Sequence, residues 1–129
     1  MEMLDIETRS WLELPSMLQK RNGACCCIFE KHRKIFVLGG MSIDDGVLDS
    51  IERFSMVEQT WELLSVRLVS PLRDFVCHSI GKNRLLILGS PDQQEQSFTD
   101  EAKANREIET QILDLSNDVQ DASTMPKSI

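Results

Sequence analysis

The sequence lacks tyrosine, contains no long hydrophobic run and is poor in basic side chains. No apolar segment approaches the roughly 18–20 residues that span a bilayer, so the sequence predicts no membrane-spanning helix. The 14 lysine and arginine residues are outnumbered by 21 aspartate and glutamate residues, which gives a net charge of −7. This acidic balance disfavours nonspecific binding to nucleic acid or to anionic membranes, and we expect neither as a partner.

The N-terminal region also lacks the basic-then-apolar order of a secretory signal peptide, since residues 1–13 carry several acidic side chains. We therefore expect a cytosolic or nuclear protein in which the cysteines are reduced thiols. Of these two locations we predict the cytoplasm. These cysteines are Cys25, Cys26, Cys27 and Cys77. A length of 129 residues suits one small domain and is too short for two.

The dominant pattern is an internal repeat with a period of 50 residues. This spacing separates Trp11 from Trp61, and it also separates Gly39 from Gly89. When residues 1–40 are overlaid on residues 51–90 without a gap, apolar positions match apolar positions and turns match turns. The matched pairs include Glu2 with Glu52, Leu14 with Leu64, Cys27 with Cys77, Ile35 with Leu85 and Val37 with Ile87. A period near 50 is typical of propeller repeats.

The residue types within each repeat are typical of β-strands. Two apolar segments, residues 24–29 and 35–38, flank a polar turn, and residues 75–80 and 85–88 repeat this arrangement. A third strand over residues 51–56 and a fourth that contains Trp61 complete the unit. We therefore predict an all-β fold of four-stranded antiparallel sheets packed face to face, with no helix between residues 24 and 88. The residues expected to be buried between the sheets include Ile35, Val37, Leu85 and Ile87.

The order of these residues resembles the kelch repeat. An apolar strand ends at the pair Gly39-Gly40, Phe54 lies on the next strand, and Trp61 lies on the one after. The landmarks recur at Gly89 and Trp11. The resemblance implies kelch-like β-propeller blades, in which the double glycine closes the second strand and the tryptophan packs on the fourth. Phe54 holds the position where the family usually has tyrosine.

The resemblance covers residues 1–90 and implies an incomplete propeller of about two and a half blades. Residues 1–18 resemble the end of one blade, residues 21–68 a full blade, and residues 71–90 the start of the next. We expect residues 91–107 to form a polar loop or a marginal helix, residues 108–115 a last strand, and residues 116–129 a frayed tail. A closed propeller needs about four blades or more. The uncovered apolar faces therefore predict self-association or completion by another chain.

The cysteines are the most conspicuous cluster of reactive side chains. Alternate residues of a strand share a face, so Cys25 and Cys27 point together, and the overlay adds Cys77 at the position of Cys27. Three thiols that face one region could bind a metal or take part in redox chemistry. They lack the Cys-x-x-Cys spacing of structural zinc sites, however, so we interpret them as packing residues and expect no metal.

The other patterns that could carry chemistry are incomplete. Cys77 and His78 are adjacent on a strand and point to opposite faces, which prevents a nucleophile–base pair. The turn Asp44-Asp45-Gly46 lacks the alternating ligands and the distal glutamate of a calcium loop. Gly39-Gly40 lacks the lysine and the serine or threonine of a phosphate loop. We therefore predict no catalytic residue and no cofactor.

The resemblance implies a non-catalytic protein–protein interaction module of kelch type. Such a module is a fragment of, or a partner to, a larger propeller, and it acts as a scaffold or as a substrate receptor of a cullin-type ubiquitin ligase. One alternative is an enzyme with an active site in the propeller channel, which needs polar residues that converge from several blades. The other alternative is a truncated kelch paralogue with little independent function.

Overall fold

The structure is a computed structural model that describes residues 1–91 and 107–119. Within these ranges the regular elements are short β-strands and one three-residue 3-10 turn, Glu30–His32. The strands are β1 (Glu2–Asp5), β2 (Ser10–Glu13), β3 (Cys25–Phe29), β4 (Lys34–Leu38), β5 (Met41–Ser42), β6 (Gly46–Val47), β7 (Ser50–Ser55), β8 (Thr60–Arg67), β9 (Val76–Ile80), β10 (Arg84–Gly89) and β11 (Glu109–Asp114). No helix among the described residues is long and apolar enough to cross a membrane.

All strand pairs are antiparallel, and the sheets differ in their number of strands. Strands β3, β4, β7 and β8 lie side by side in that order and form the central sheet. Strands β9, β10 and β11 form the C-terminal sheet, in which β10 lies in the middle, and β1 pairs with β2 in the N-terminal hairpin. Strands β5 and β6 form a small separate hairpin between β4 and β7. The predicted all-β class is confirmed, and the described residues do not close a propeller.

The core lies between the central sheet and the C-terminal sheet. Alternate residues of each strand point to one side, so β4 directs Phe36 and Leu38 into this core while β10 directs Leu85 and Ile87 into it from the other side. The linker between β8 and β9 closes one end of the core. The buried apolar side chains of the core are Phe29, Phe36, Leu38, Ile51, Leu64, Leu68, Leu72, Phe75, Leu85, Ile87, Leu115 and Val119.

The prediction of buried residues was right for the C-terminal sheet and wrong for the central sheet. Leu85 and Ile87 are fully buried, but Ile35 and Val37 are only half-buried. Both pairs lie on the sheet face that points toward the preceding sheet. The complete central sheet covers Leu85 and Ile87, whereas only the two-stranded N-terminal hairpin and its linker precede Ile35 and Val37. The same strand pattern therefore gives different burial because the neighbours differ.

The gapless overlay was also wrong by one residue where it aligned β3 with β9. Phe29 pairs with Lys34 across a four-residue connection, whereas Ile80 pairs with Arg84 across a three-residue connection. As a result Cys77 pairs with Ile87 as Cys26 pairs with Val37, so Cys77 corresponds to Cys26 rather than to Cys27.

The 3-10 turn Glu30–His32 is a helical turn inside the range where we predicted none. It occupies the polar turn expected between the first two strands of the unit. Arg33, which ends this turn, has a positive φ of 53° and leads directly into β4. The strands on both sides are therefore unaffected, and the deviation is confined to the connection.

Residues 92–106, most of the segment for which we predicted a polar loop or a marginal helix, lie outside the described residues. Residues 120–129, most of the predicted tail, lie outside them as well.

Candidate interaction surface

The glycine pair Gly39-Gly40 lies where the end of β4 meets the linker between β8 and β9. Gly39 and Gly40 have positive φ angles of 59° and 92°, a conformation that β-carbon-bearing residues rarely adopt. The Gly40 amide donates a 2.8 Å hydrogen bond to the carbonyl of Leu72. A β-carbon at Gly39 would lie 2.5 Å from that same carbonyl oxygen. Backbone therefore approaches backbone at a point where no side chain fits.

Gly89 occupies the corresponding strand end of the C-terminal sheet, but in a different conformation. Its φ is not positive, and a β-carbon there would lie 2.8 Å from the β-carbon of Phe75. The glycine is therefore required by close packing against the linker rather than by backbone conformation.

Phe54 and Trp61 form an aromatic pair on the face of the central sheet that points toward the N-terminal hairpin. Phe54 is buried and lies directly opposite Trp61 in the register of β7 and β8. The ring centroids are 5.0 Å apart, and the indole Nε1 of Trp61 donates a 2.9 Å hydrogen bond to the carbonyl of Pro15. Trp61 thus anchors the segment between β2 and β3, which is the linker that enters the central sheet.

Trp11 lies at the equivalent position of the N-terminal hairpin, where its surroundings are open. It faces Leu4 across the strand pair, just as Trp61 faces Phe54. Its side chain is 65% exposed, because no described residue covers this face of the hairpin as Pro15 and its neighbours cover Trp61. The two tryptophans therefore share a position in the repeat and differ in their contacts.

We expect Trp61→Ala to lower the free energy of unfolding by about 2–3 kcal/mol, because it removes a half-buried ring from Phe54 together with one hydrogen bond. Trp11→Ala is the matched control, and it should cost about 0.5 kcal/mol or less because most of its ring is in solvent. Urea unfolding of both variants measures the difference. Equal losses would contradict the assignment of Trp61 as the linker anchor.

A buried ion pair that sequence reasoning missed fixes the same linker. The side chains of Arg21 and Glu52 are 0% exposed, and their Nε and Oε2 atoms are 2.8 Å apart. The other carboxylate oxygen of Glu52 accepts a 2.6 Å hydrogen bond from the backbone amide of Leu18. The guanidinium of Arg21 donates to the carbonyls of Gly39 and Ser50 at 2.8 and 2.9 Å. This cluster joins the linker, the end of β4 and the start of β7.

The C-terminal sheet repeats this arrangement with a neutral side chain. Gln111 pairs with Ile87 on β10, just as Glu52 pairs with Val37 on β4. Its Oε1 accepts a 2.9 Å hydrogen bond from the backbone amide of Val69 in the linker that enters this sheet. A buried acceptor on the third strand of both the central and the C-terminal sheet therefore holds the incoming linker. The overlay aligns Glu2 of the N-terminal hairpin with Glu52, but Glu2 is exposed.

The β5–β6 hairpin presents exposed side chains at one end of the central sheet. Backbone hydrogen bonds of 2.9 and 2.7 Å between Asn22 and Met41 fix its base to the linker. At its tip Ile43 is 98% exposed and stands beside the carboxylates of Asp44 and Asp45. Two half-open depressions of about 310 and 320 Å³ flank the hairpin. An exposed apolar tip with acidic neighbours suits contact with another macromolecule better than enclosure of a small molecule.

Two sheet faces carry exposed apolar side chains. The outer face of the C-terminal sheet presents Val76, Leu88 and Ile112 on three neighbouring strands. The outer face of the N-terminal hairpin presents Leu4 and Trp11. Each of these faces corresponds to a face of the central sheet that is packed against a neighbouring element.

The described ranges contain no group of three or more His, Cys, Asp or Glu residues arranged to hold a metal ion. Asp44 and Asp45 lie in the turn of the β5–β6 hairpin, where the sequence predicted a turn. His78 is exposed on the outer face of the C-terminal sheet, whereas Cys77 points into the core side.

A four-stranded antiparallel sheet that packs face to face on a three-stranded one, with a linker crossing at a glycine pair, is the arrangement of blades in a β-propeller. No protein-family model matches the sequence. Among curated proteins, a kelch repeat-containing protein of Arabidopsis thaliana is 32% identical over 92 residues, which cover 70% of this chain and 22% of the relative. Kelch domain-containing protein 8B of Rattus norvegicus is 30% identical over 102 residues, which cover 71% of this chain and 28% of the relative. An F-box/kelch-repeat protein of Arabidopsis thaliana is 38% identical over 60 residues, which cover 46% of this chain and 15% of the relative.

The chain belongs to the kelch-repeat family, as the residue pattern predicted. It spans less than a third of the length of each of these relatives.

Proposed function

We propose that this chain is a non-catalytic protein-interaction module that supplies kelch blades to a larger propeller. The remaining blades come from further polypeptide or from a second copy of the chain. The observation that carries this proposal is the pair of sheet faces that lack a neighbour. A propeller blade buries both of its faces only against adjacent blades, and the described residues leave one face at each end uncovered.

The C-terminal sheet lacks a neighbouring sheet on its outer face among the described residues. Phe36 and Leu38 of the central sheet are fully buried against the next sheet, whereas no sheet in the described ranges covers the corresponding face of the C-terminal sheet, where Leu88 is exposed. Leu88 is exposed together with Val76 and Ile112, and these form a contiguous apolar surface. Surfaces of this kind mark protein–protein contacts in soluble proteins.

The loop end supports a role in binding other proteins. Ile43 projects from a hairpin whose base is fixed by backbone hydrogen bonds, so it can enter an apolar recess of a partner at little entropic cost. We propose that the chain acts as a scaffold or as a ubiquitin-ligase substrate receptor and binds its partner through this end, as the resemblance to kelch receptors implies. The names of two of the relatives combine an F-box with kelch repeats, which supports this choice. The proposed location is the cytoplasm.

Sedimentation velocity over the micromolar range tests the proposed use of the open faces. We expect the chain to self-associate, and we expect Ile112→Lys to shift it to monomer because a charge enters the outer face of the C-terminal sheet. Val57→Lys is the matched control, because Val57 is 61% exposed and Ile112 63%, but Val57 lies in the turn after β7. A wild-type chain that stays monomeric with a sharp melt, or an equal effect of both variants, would contradict the proposal.

A further inference from the structure

Two cysteines from successive sheets meet across the core. Cys25 lies at the start of β3 and Cys77 on β9, which are the first strands in sequence of the central and C-terminal sheets. They are 52 positions apart in sequence, yet their Sγ atoms are only 2.7 Å apart. A bonded pair of sulfurs is about 2.05 Å apart, so little movement separates these two thiols from a disulfide.

The surroundings of the two thiols give them different chemical roles. The hydrogen bond from the Cys77 thiol lowers the pKa of Cys25 to about 7, despite the opposing effect of burial. The same hydrogen bond, together with burial, raises the pKa of Cys77 well above its ordinary value. At neutral pH, therefore, a large share of Cys25 is the thiolate, and Cys77 remains a thiol that stands beside it.

The titratable groups that act on this pair are the neighbouring cysteines. Cys26 and Cys27 follow Cys25 on β3, and the charge of Cys25 acts on Cys27. The cross-strand neighbour of Cys25 on β4 is Leu38, and that of Cys77 on β10 is Ile87, both apolar. The thiol of Cys77 is therefore the partner that stabilises the Cys25 thiolate.

We propose that Cys25 and Cys77 form a reversible disulfide between the two sheets when the protein meets hydrogen peroxide. The Cys25 thiolate attacks one peroxide oxygen, an S–O bond forms, the O–O bond breaks, and the departing hydroxide takes a proton to become water. The sulfur of Cys77 then attacks the sulfenic acid on Cys25, the S–S bond forms, and the S–O bond breaks. The hydroxide that leaves combines with the proton from Cys77, so the two thiols lose two electrons and one peroxide becomes two waters.

The geometry selects this pair over the other two cysteines. Cys26 points to the opposite face of β3 and is exposed, so its side chain faces away from Cys77. Cys27 shares the face of Cys25, but burial raises its pKa and keeps it as the less reactive thiol. Oxidation at low peroxide should therefore consume two of the four thiols.

The disulfide has a mechanical consequence for the blades. It joins β3 of the central sheet to β9 of the C-terminal sheet and closes a loop of about 50 residues in the unfolded chain. Cross-linking over that span stabilises the packed arrangement of the two sheets against separation. The apparent melting temperature should rise by about 10 °C or more.

Peroxide titration of the full chain, followed by thiol counting and mass spectrometry, tests the proposal. Trypsin separates peptide 22–31, which contains Cys25, Cys26 and Cys27, from peptide 74–82, which contains Cys77. We expect a disulfide-linked pair of these peptides, the loss of two thiols, a higher melting temperature, and reversal of all three by a dithiol reductant. The rate should rise with pH through a midpoint near pH 7, the pKa of Cys25, and level off above that midpoint once the thiolate has formed.

The variants assign the bond to its cysteines. Cys25→Ser and Cys77→Ser should abolish the linked peptides and the rise in melting temperature, whereas Cys26→Ser and Cys27→Ser should retain both. The proposal is overturned if the wild-type chain yields only sulfinic acid or an intermolecular disulfide through Cys26. It is also overturned if Cys27→Ser removes the linked peptides while Cys25→Ser keeps them.

Discussion

Glu52→Ala should lower the free energy of unfolding by about 3–5 kcal/mol, because it leaves the guanidinium of Arg21 buried without its carboxylate. Both side chains are 0% exposed, so water cannot replace the lost partner. The substitution also frees the backbone amide of Leu18, which donates to Glu52 in the intact protein. Urea or guanidinium unfolding measures the change in stability.

A solvent-exposed ion pair in the same sheet provides the matched control. The Nη1 of Arg67 and the Oδ1 of Asp49 are 2.7 Å apart, but the two side chains are 58% and 36% exposed. Asp49→Ala should therefore cost about 1 kcal/mol or less. If both substitutions cost the same, the Arg21–Glu52 pair does not anchor the linker in the way that its burial implies.

Gly39→Ala is the second substitution with a large expected effect. The added β-carbon would lie 2.5 Å from the carbonyl oxygen of Leu72, and the residue must keep a φ of 59°. The left-handed conformation alone costs about 1–2 kcal/mol, and the overlap with backbone adds about 1–3 kcal/mol. We therefore expect a total loss of roughly 2–5 kcal/mol in the free energy of unfolding.

Gly46→Ala separates the two contributions. Gly46 has a φ of 73°, but no atom lies within 4 Å of its added β-carbon. Its loss should be about 1–2 kcal/mol, which is the conformational part alone. Comparable losses at Gly39 and Gly46 would show that the linker does not press on the double glycine.

The strands and their grouping into a four-stranded unit could be predicted from the sequence because they depend on local patterns. Apolar runs, polar turns and the recurrence of Trp11 at Trp61 are visible without any structure. The burial of Ile35 and Val37 could not be predicted in this way, because it depends on how much of a neighbouring sheet covers them. The shift that aligns Cys77 with Cys26 arises from one residue in a turn, which a gapless overlay cannot detect.

The Arg21–Glu52 pair was missed because its members are 31 positions apart and nothing local links them. A signal was nevertheless present. Glu52 is a carboxylate that directly follows the apolar Ile51 in a predicted strand, and the overlay matches it with Glu2. A carboxylate at a repeated strand position can be assigned a structural role only once its partner is known, and the sequence does not identify that partner. The contact between Cys25 and Cys77 was hidden for the same reason, since it forms only when two sheets pack.

The most direct test of the open sheet faces is hydrogen–deuterium exchange of the chain at low and at high micromolar concentration. If a second copy supplies the missing neighbours, the amides of β1, β2, β9 and β11 should gain protection as the concentration rises. Those of β4 and β7, which are already inside the central sheet, should remain unchanged. Identical protection at both concentrations, in a chain that melts sharply, would contradict the account that these faces are binding surfaces for further blades.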